Sequence, residues 1–309
     1  MNERLIFGVL FTVLGIGGAG HNVFTGVLLL KHQEFRKSTY YFMANLCFSD
    51  AIELLSIGLA PGIRVLTSDD GNITTFDSYN GLVAVTGWWI GGTFFVLLSF
   101  NRYICLSKWT EVDYWFSKRN LLILNIVPYA VFWTIPPSYF LATGRMLPWM
   151  NGLLQFGFDD KIALWFNYIS STLFSALQVI FNTLALVAIC KLKRETALSP
   201  ANIRKEARLT IQCVVTSSVY VAAFAICQIF EAMLPAGMPI QPVHLAFAHT
   251  IWIANHCINP IIYYCFNAPL RKYTFSPFRK KSTTLQPTSF NTKANAGVVL
   301  GSTRKVQST

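Results

Sequence analysis

The chain of 309 residues is 53% hydrophobic and 15% aromatic, with only 13% charged side chains, a balance too apolar for a water-soluble domain of this size. A bilayer-spanning helix takes about 20 mainly apolar residues, so the length holds several spans and leaves no room for a large separate soluble domain. The formal charge of +11 would suit a nucleic-acid binder, but the basic residues sit in alternate links between apolar runs, which is a membrane-topology pattern, and no nucleic-acid partner is expected.

Long apolar runs bounded by charges and turn residues predict seven helices, near 5–30, 39–65, 81–107, 120–142, 162–190, 208–234 and 241–266. The first resembles a signal peptide at its start, where Arg4 precedes an apolar run and GIGGAG follows. That run continues to Lys31, longer than a signal segment, so a retained helix is expected. All but Arg4, Arg64, Arg145 and Lys161 of the 25 Lys and Arg fall on one side of these spans, which puts the amino terminus outside and the carboxyl terminus inside. The sequon Asn72-Ile73-Thr74 lies between helices 2 and 3, on the expected outer side, where glycosylation of Asn72 is possible. The seven-transmembrane domain is expected over 1–273, with a short amphipathic inner helix over 268–280. The remaining cytoplasmic tail, 274–309 in the domain division, is rich in Ser, Thr, Lys, Pro and Asn and is expected to be largely disordered. Ser282, Thr283, Thr284, Thr288 and Ser289 are candidate phosphate acceptors beside Lys280 and Lys281.

Cys47, Cys105, Cys190, Cys213, Cys227, Cys257 and Cys265 lie in apolar segments or at their inner ends, and are expected to be small buried thiols. No CxxC pair or Cys/His group at ligand spacing is present, so neither a metal nor another cofactor is expected. Ionisable residues inside spans cost a few kcal/mol and call for partners or a function. Asp50 and Glu53 meet this description in helix 2, with Asn22 in helix 1 and Asn255, His256 and Asn259 in helix 7 as interior partners. His249, Trp252, His256, Asn259 and Tyr263 recur at helical spacing and form one stripe, which reads equally as interhelical hydrogen bonding that holds a bundle together. Pro260 removes a backbone donor beside Asn259 and makes a hinge there plausible. Arg102 by itself reads as an arginine reaching the headgroups.

Taken in order, these residues resemble the rhodopsin-like G-protein-coupled receptors, from helix 1 through residue 273. Asn45-Leu46-Cys47-Phe48-Ser49-Asp50 is similar to NLxxxD, Asn101-Arg102-Tyr103 to DRY, and Asn259-Pro260-Ile261-Ile262-Tyr263 matches NPxxY. The short chain, the Asn-Arg-Tyr variant and the eroded helix 6 are most similar to nematode chemosensory receptors of the serpentine receptor class X type. The resemblance implies an all-α seven-transmembrane bundle that binds ligand in its outer half and opens at helix 6 to admit a heterotrimeric G protein. Asn101, Arg102, Tyr103, Asn259, Pro260 and Tyr263 would then form the switch, and Asn22, Asp50, Asn255 and His256 a polar network. It further implies a plasma-membrane location, with sensory cilia as one site, and kinase and arrestin as tail partners.

The departures carry their own expectations. Asn101 replaces an acid, so Arg102 is expected to lack its neighbouring carboxylate and the ligand-free activity to be raised. Phe224, Cys227, Gln228 and Phe230 stand where the family has F, C, W and P, and the helix 5 proline is also missing. No cysteine lies in 141–161, so the usual disulfide is absent and that loop, with Asp159 and Asp160, is expected to be looser. Gly91 replaces the hydroxyl of the family's sodium site, and His256 is expected to take the ion's place beside Asp50, making activation pH-dependent.

By the family's layout the ligand pocket would be lined by Glu53, Trp88, Gln228, Glu231, His249 and Trp252. Ala84 stands where amine receptors have an aspartate, and helix 7 has no lysine for a retinal Schiff base. The expected ligand is an odorant, pheromone or metabolite, with a short neuropeptide as the alternative. A secondary transporter is the rival from another class, but no two-fold repeat joins the halves. An enzyme is not expected, because neither H-E-x-x-H nor G-x-S-x-G occurs.

Overall fold

In the computed structural model the residues described are 3–67, 72–144, 147–158, 160–195, 200–233 and 241–275. Among these described residues, seven long helices form the bundle. They are α1 (Glu3–Lys31), α2 (Ser38–Thr67), α3 (Thr75–Ser107), α4 (Lys118–Thr143), α5 (Lys161–Glu195), α6 (Pro200–Met233) and α7 (Pro242–Phe266). A shorter α8, Ala268–Phe275, follows α7 after Asn267. Six of these helices are apolar and long enough to cross a membrane, all except α7, whose buried polar stripe lowers its hydropathy.

The α3 helix occupies the centre, with 78% of its most apolar window buried, against 11% for α4 and 17% for α5 on the rim. The rim helices turn Leu122, Ile123, Ile126, Trp165, Ile169 and Val179 outward. That belt is far larger than the apolar patches water-soluble monomers expose, and a lipid solvent accounts for it. On the other flank α1 and α2 touch backbone to backbone. A Cβ on Gly15 would lie 2.4 Å from the Leu59 nitrogen, and one on Gly58 2.6 Å from the Gly15 Cα, so any side chain would force the helices apart.

Several element bounds differ from the sequence expectation for local reasons. The α3 helix starts six residues early because Thr74 and Asp77 form a reciprocal cap, Asp77 N to Thr74 Oγ1 at 3.2 Å and Thr74 N to Asp77 Oδ2 at 2.8 Å. The α4 helix is interrupted at Trp133 and Thr134, where Pro136 and Pro137 begin a second piece, Ile135–Thr143. In α2, Leu55–Leu59 forms a wide π turn just before Pro61. The α6 helix begins at Pro200, well before its apolar run, so part of the expected basic loop is helical. The inner helix expected over 268–280 is described only to Phe275, and the remaining tail, with its candidate phosphate acceptors, lies outside the described residues.

Two expectations are corrected. The loop expected to be loose folds between α4 and α5 into a small antiparallel hairpin, β1 (Trp149–Met150) and β2 (Gln155–Phe156), the one departure from an all-α fold among the described residues. It is packed into the bundle mouth: Trp149, Leu154 and Phe156 are buried, and Trp149 meets Phe11, His249 and Phe156 edge-on or tilted. Gly81 of α3 lets it seat, since a Cβ there would fall 1.5 Å from the Leu147 carbonyl oxygen. Aromatic burial thus does here what a disulfide does elsewhere. Asp160 of this region accepts from the Tyr139 hydroxyl at 2.5 Å, while Asp159 lies outside the described residues.

The second correction concerns the cysteines. All are free, but only Cys47 and Cys213 are buried. Cys105, Cys227 and Cys257 are half-buried, and Cys190 and Cys265 are exposed because they face away from the bundle axis on α5 and α7.

Candidate functional site

The α7 stripe and the polar residues of α2 meet in the middle of the bundle. His256 Nδ1 donates to Asp50 Oδ1 at 2.7 Å, and Asn259 Nδ2 donates to Asp50 Oδ2 at 2.7 Å. On the other side of the imidazole, Nε2 lies 3.3 Å from Glu53 Oε1, which also accepts from the Trp252 indole at 3.2 Å. Asp50, Glu53 and His256 are at most 1% exposed, so two carboxylates and one imidazole share a dry interior where each compensates another. Asn22 ties α1 in by donating to the His256 carbonyl oxygen at 2.9 Å. Asn255 is buried, and its amide finds no partner among the described residues. Gly91 faces Ser49, whose hydroxyl donates to the Gly87 carbonyl oxygen at 3.2 Å.

At one end of the bundle, Arg102 is 4% exposed and held from three sides. Its Nη1 lies 3.2 Å from Glu206 Oε2 on the early turns of α6. Its Nη2 donates to Thr39 Oγ1 of α2 and, at 3.2 Å, to Asn101 Oδ1. Asn101 in turn accepts from Thr39 at 2.6 Å and donates to Ser38 at 2.7 Å. The neighbouring carboxylate is absent, as the Asn101 substitution implies, and α6 supplies one in its place. Tyr103 is half-buried against Phe181, and the buried Tyr263 hydroxyl finds no partner among the described residues. A cavity of about 400 Å3 opens beside this cluster, lined by Tyr40, Arg204, Lys205 and Arg208 and by Phe266–Pro269 at the turn from α7 to α8.

Toward the opposite, hairpin end lies a second, narrower cavity, with about 60 Å3 of free interior behind an open mouth. Trp88, Phe224, Gln228, His249 and Trp252 line it from the helices, and Gln155, Phe156 and Phe158 from the hairpin. Of the expected pocket residues, Trp88, Gln228, His249 and Trp252 are thus brought together. Glu53 is not among the lining residues, because Trp252 covers it and takes its carboxylate in a hydrogen bond. The side chain of Glu231 lies outside the described residues. Trp88 anchors the floor, donating to Ser171 at 2.9 Å and stacking on Tyr220 at 4.6 Å.

Sequence reasoning missed three groups. Glu206, Ser38 and Thr39 lie in stretches read as charged or boundary segments. The hairpin lining lies in a loop with no motif. On α5, Asn167, Ser171, Ser175, Gln178 and Asn182 form a buried polar stripe at steps of 4, 4, 3 and 4, the period that revealed the α7 stripe. Neutral side chains of modest polarity drew no attention there.

Comparison with known proteins gives three findings. The family model described as 7 transmembrane receptor (rhodopsin family) matches residues 21–263. A protein of Caenorhabditis elegans described as a probable G-protein coupled receptor is 22% identical, over 86% of this chain and 65% of its own length, so the chain spans about two thirds of that relative. Squid rhodopsin shares the fold, with a TM-score of 0.74 at 16% identity over 90% of this chain and 82% of that one.

Proposed function

The chain belongs to the rhodopsin family of seven-transmembrane receptors, non-enzymatic signal receptors embedded in membranes, and on that premise we propose that it couples a small extracellular ligand to a heterotrimeric G protein. The amino terminus and the hairpin end face outward and the Arg102 end faces the cytoplasm. The observation that carries the reading is Arg102 closed onto Glu206 of α6, at the far end of the helices whose other half lines the cavity. Ligand that favours an outward α6 separates that pair and opens the basic cavity to the G protein, provided it binds the open form better than the closed one.

In this reading Asn101, Arg102, Tyr103, Asn259, Pro260 and Tyr263 form the switch. Asn22, Asp50, Asn255 and His256 link it to the pocket, with His256 as the partner of Asp50 in place of a sodium ion. The packed hairpin supports a small odorant, pheromone or metabolite over a peptide, because it narrows the mouth. Nematode chemosensation, a location in sensory cilia, a receptor domain over 1–273 and kinase and arrestin at a phosphorylated tail complete the proposal.

The test is nucleotide exchange on heterotrimeric G proteins by the receptor in lipid nanodiscs, screened with small volatile and metabolite ligands. At least one ligand should raise exchange about tenfold in the wild type, equivalent to ~1.4 kcal/mol, and leave Arg102→Ala at its basal rate. Equal stimulation of Arg102→Ala, or ligand uptake into vesicles without exchange, would overturn the reading.

A further inference from the structure

Resting on the ligand cavity assigned above, we infer that the cavity selects an uncharged, largely apolar molecule that presents one hydrogen-bond donor, and that His249 Nδ1 is the acceptor for that donor. Ile57 lies in the π turn of α2, and Pro61, four residues on, has no N–H to offer its carbonyl oxygen. That oxygen accepts instead from His249 Nε2 at 2.7 Å. A carbonyl oxygen can only accept, so Nε2 carries the proton and a neutral ring leaves Nδ1 with a lone pair.

The ring is neutral on geometric grounds. It is 3% exposed and packed among Phe11, Trp149, Phe156 and Trp252, with centroids 4.9 to 5.8 Å away. No carboxylate contacts it among the described residues, and an imidazolium there would be desolvated without compensation. Nδ1 finds no protein donor among the described residues, and the ring lines the cavity. A ligand O–H or N–H completes it.

The rest of the lining sets the charge. Among the described residues it holds no Asp, Glu, Lys or Arg, and its polar side chains are Gln155, Asn167, Cys227, Gln228 and His249. A carboxylate ligand would meet no cation. An ammonium ligand would meet the faces of Trp88 and Trp252, but cation attraction to aromatic faces is smaller than the several-fold larger cost of taking the ion out of water. Glu53, the carboxylate behind Trp252, is not in the lining, and its Oε1 is taken by Trp252 and His256. Flat aromatic walls favour a planar body for the ligand.

The test uses matched probes on two skeletons, phenyl and indole, each carrying hydroxyethyl, aminoethyl, carboxymethyl or plain ethyl, with the indole nitrogen methylated. Binding is read as the shift in unfolding temperature of the full-length receptor in detergent. At about 1 mM the hydroxyethyl probes should raise that temperature by about 2 °C or more, and the aminoethyl, carboxymethyl and ethyl probes by less than half as much. His249→Gln, which can donate to Ile57 and still accept, should keep the hydroxyethyl preference. His249→Phe, if it folds, should lose it. No shift from either hydroxyethyl probe, equal or larger shifts from the charged probes, or loss of the preference in His249→Gln would overturn the inference. Binding is read without a G protein, so failed coupling with intact selectivity would sink the proposed function alone.

Discussion

Arginine 102 sits in a chain whose neighbouring position, 101, offers an amide and not an acid. Asn101 contributes by organising the partners: it accepts from Thr39 and donates to Ser38, and so presents Thr39 Oγ1 to the guanidinium. The charge compensation comes from Glu206, whose side chain is 33% exposed. A partly exposed ion pair contributes about 1 kcal/mol, a factor of about five in the balance between closed and open forms. Glu206→Gln keeps the shape and removes the charge, and should raise ligand-free nucleotide exchange about threefold to fivefold at equal receptor amounts. Asn101→Asp places a second carboxylate beside Arg102 and should lower the same rate. Basal exchange unchanged in Glu206→Gln would show that the pair does not hold the closed form.

Among the elements, α5 carries the feature least visible in advance. Its stripe begins at the ligand cavity, where Asn167 Oδ1 accepts from Trp89 at 3.2 Å and Ser171 accepts from Trp88 at 2.9 Å. One and two turns further the partners run out: neither amide atom of the fully buried Gln178, nor the hydroxyls of Ser175 and Tyr220, has a partner among the described residues. An unmatched buried amide costs about 1–3 kcal/mol, so this conformation is one the stripe does not favour. In the proposed function, ligand binding must reach α6 without the family's tryptophan and proline there, and a polar stripe between α3 and α6 that is unmatched in the proposed closed form is a physical substitute. Gln178→Met should therefore raise the unfolding temperature of the ligand-free receptor by about 2–4 °C and lower its basal exchange. A lower unfolding temperature would mean the amide is already satisfied in the resting receptor, and the idea would fail.

The same elements show what was legible in the sequence. Apolar runs located all seven helices because a span needs a continuous apolar length, and the α7 stripe was legible because His249, His256 and Asn259 are conspicuous in such a run. Glu206 was not legible: hydropathy ends a helix at its charge boundary, whereas α6 continues from Pro200 through charged turns that an aqueous face tolerates. The seating of Trp149 was hidden for another reason. A loop has no period, and what orders this one is contact with Phe11, Gly81 and His249, residues distant in the chain.

At the scale of the whole molecule, the distribution of charge bears on which end faces the cytoplasm. At the hairpin end Arg64 lies 3.6 Å from Asp77 with 15% of its side chain exposed, so the little positive charge present there is partly compensated. At the Arg102 end Arg204, Lys205 and Arg208 line one cavity, and Lys31, Lys37, Lys191 and Arg271 add to the same sign. In the proposed orientation, an insertion machinery that retains positive links in the cytoplasm leaves the hairpin end, with the proposed ligand cavity, outside. Asn72 is an independent reporter of that choice. It is exposed just ahead of the Thr74 cap of α3, and its backbone carbonyl oxygen accepts from Arg64 at 3.0 Å. Expressed in a glycosylating cell, the receptor should lose the mass of one N-linked glycan on amidase treatment, and Asn72→Gln should run at that lower mass untreated. A carboxyl-terminal epitope should be stained only after the cells are permeabilised. An epitope stained on intact cells, with no glycan at Asn72, would reverse the orientation, place the basic cavity outside, and remove the route by which the Arg102 switch reaches a G protein.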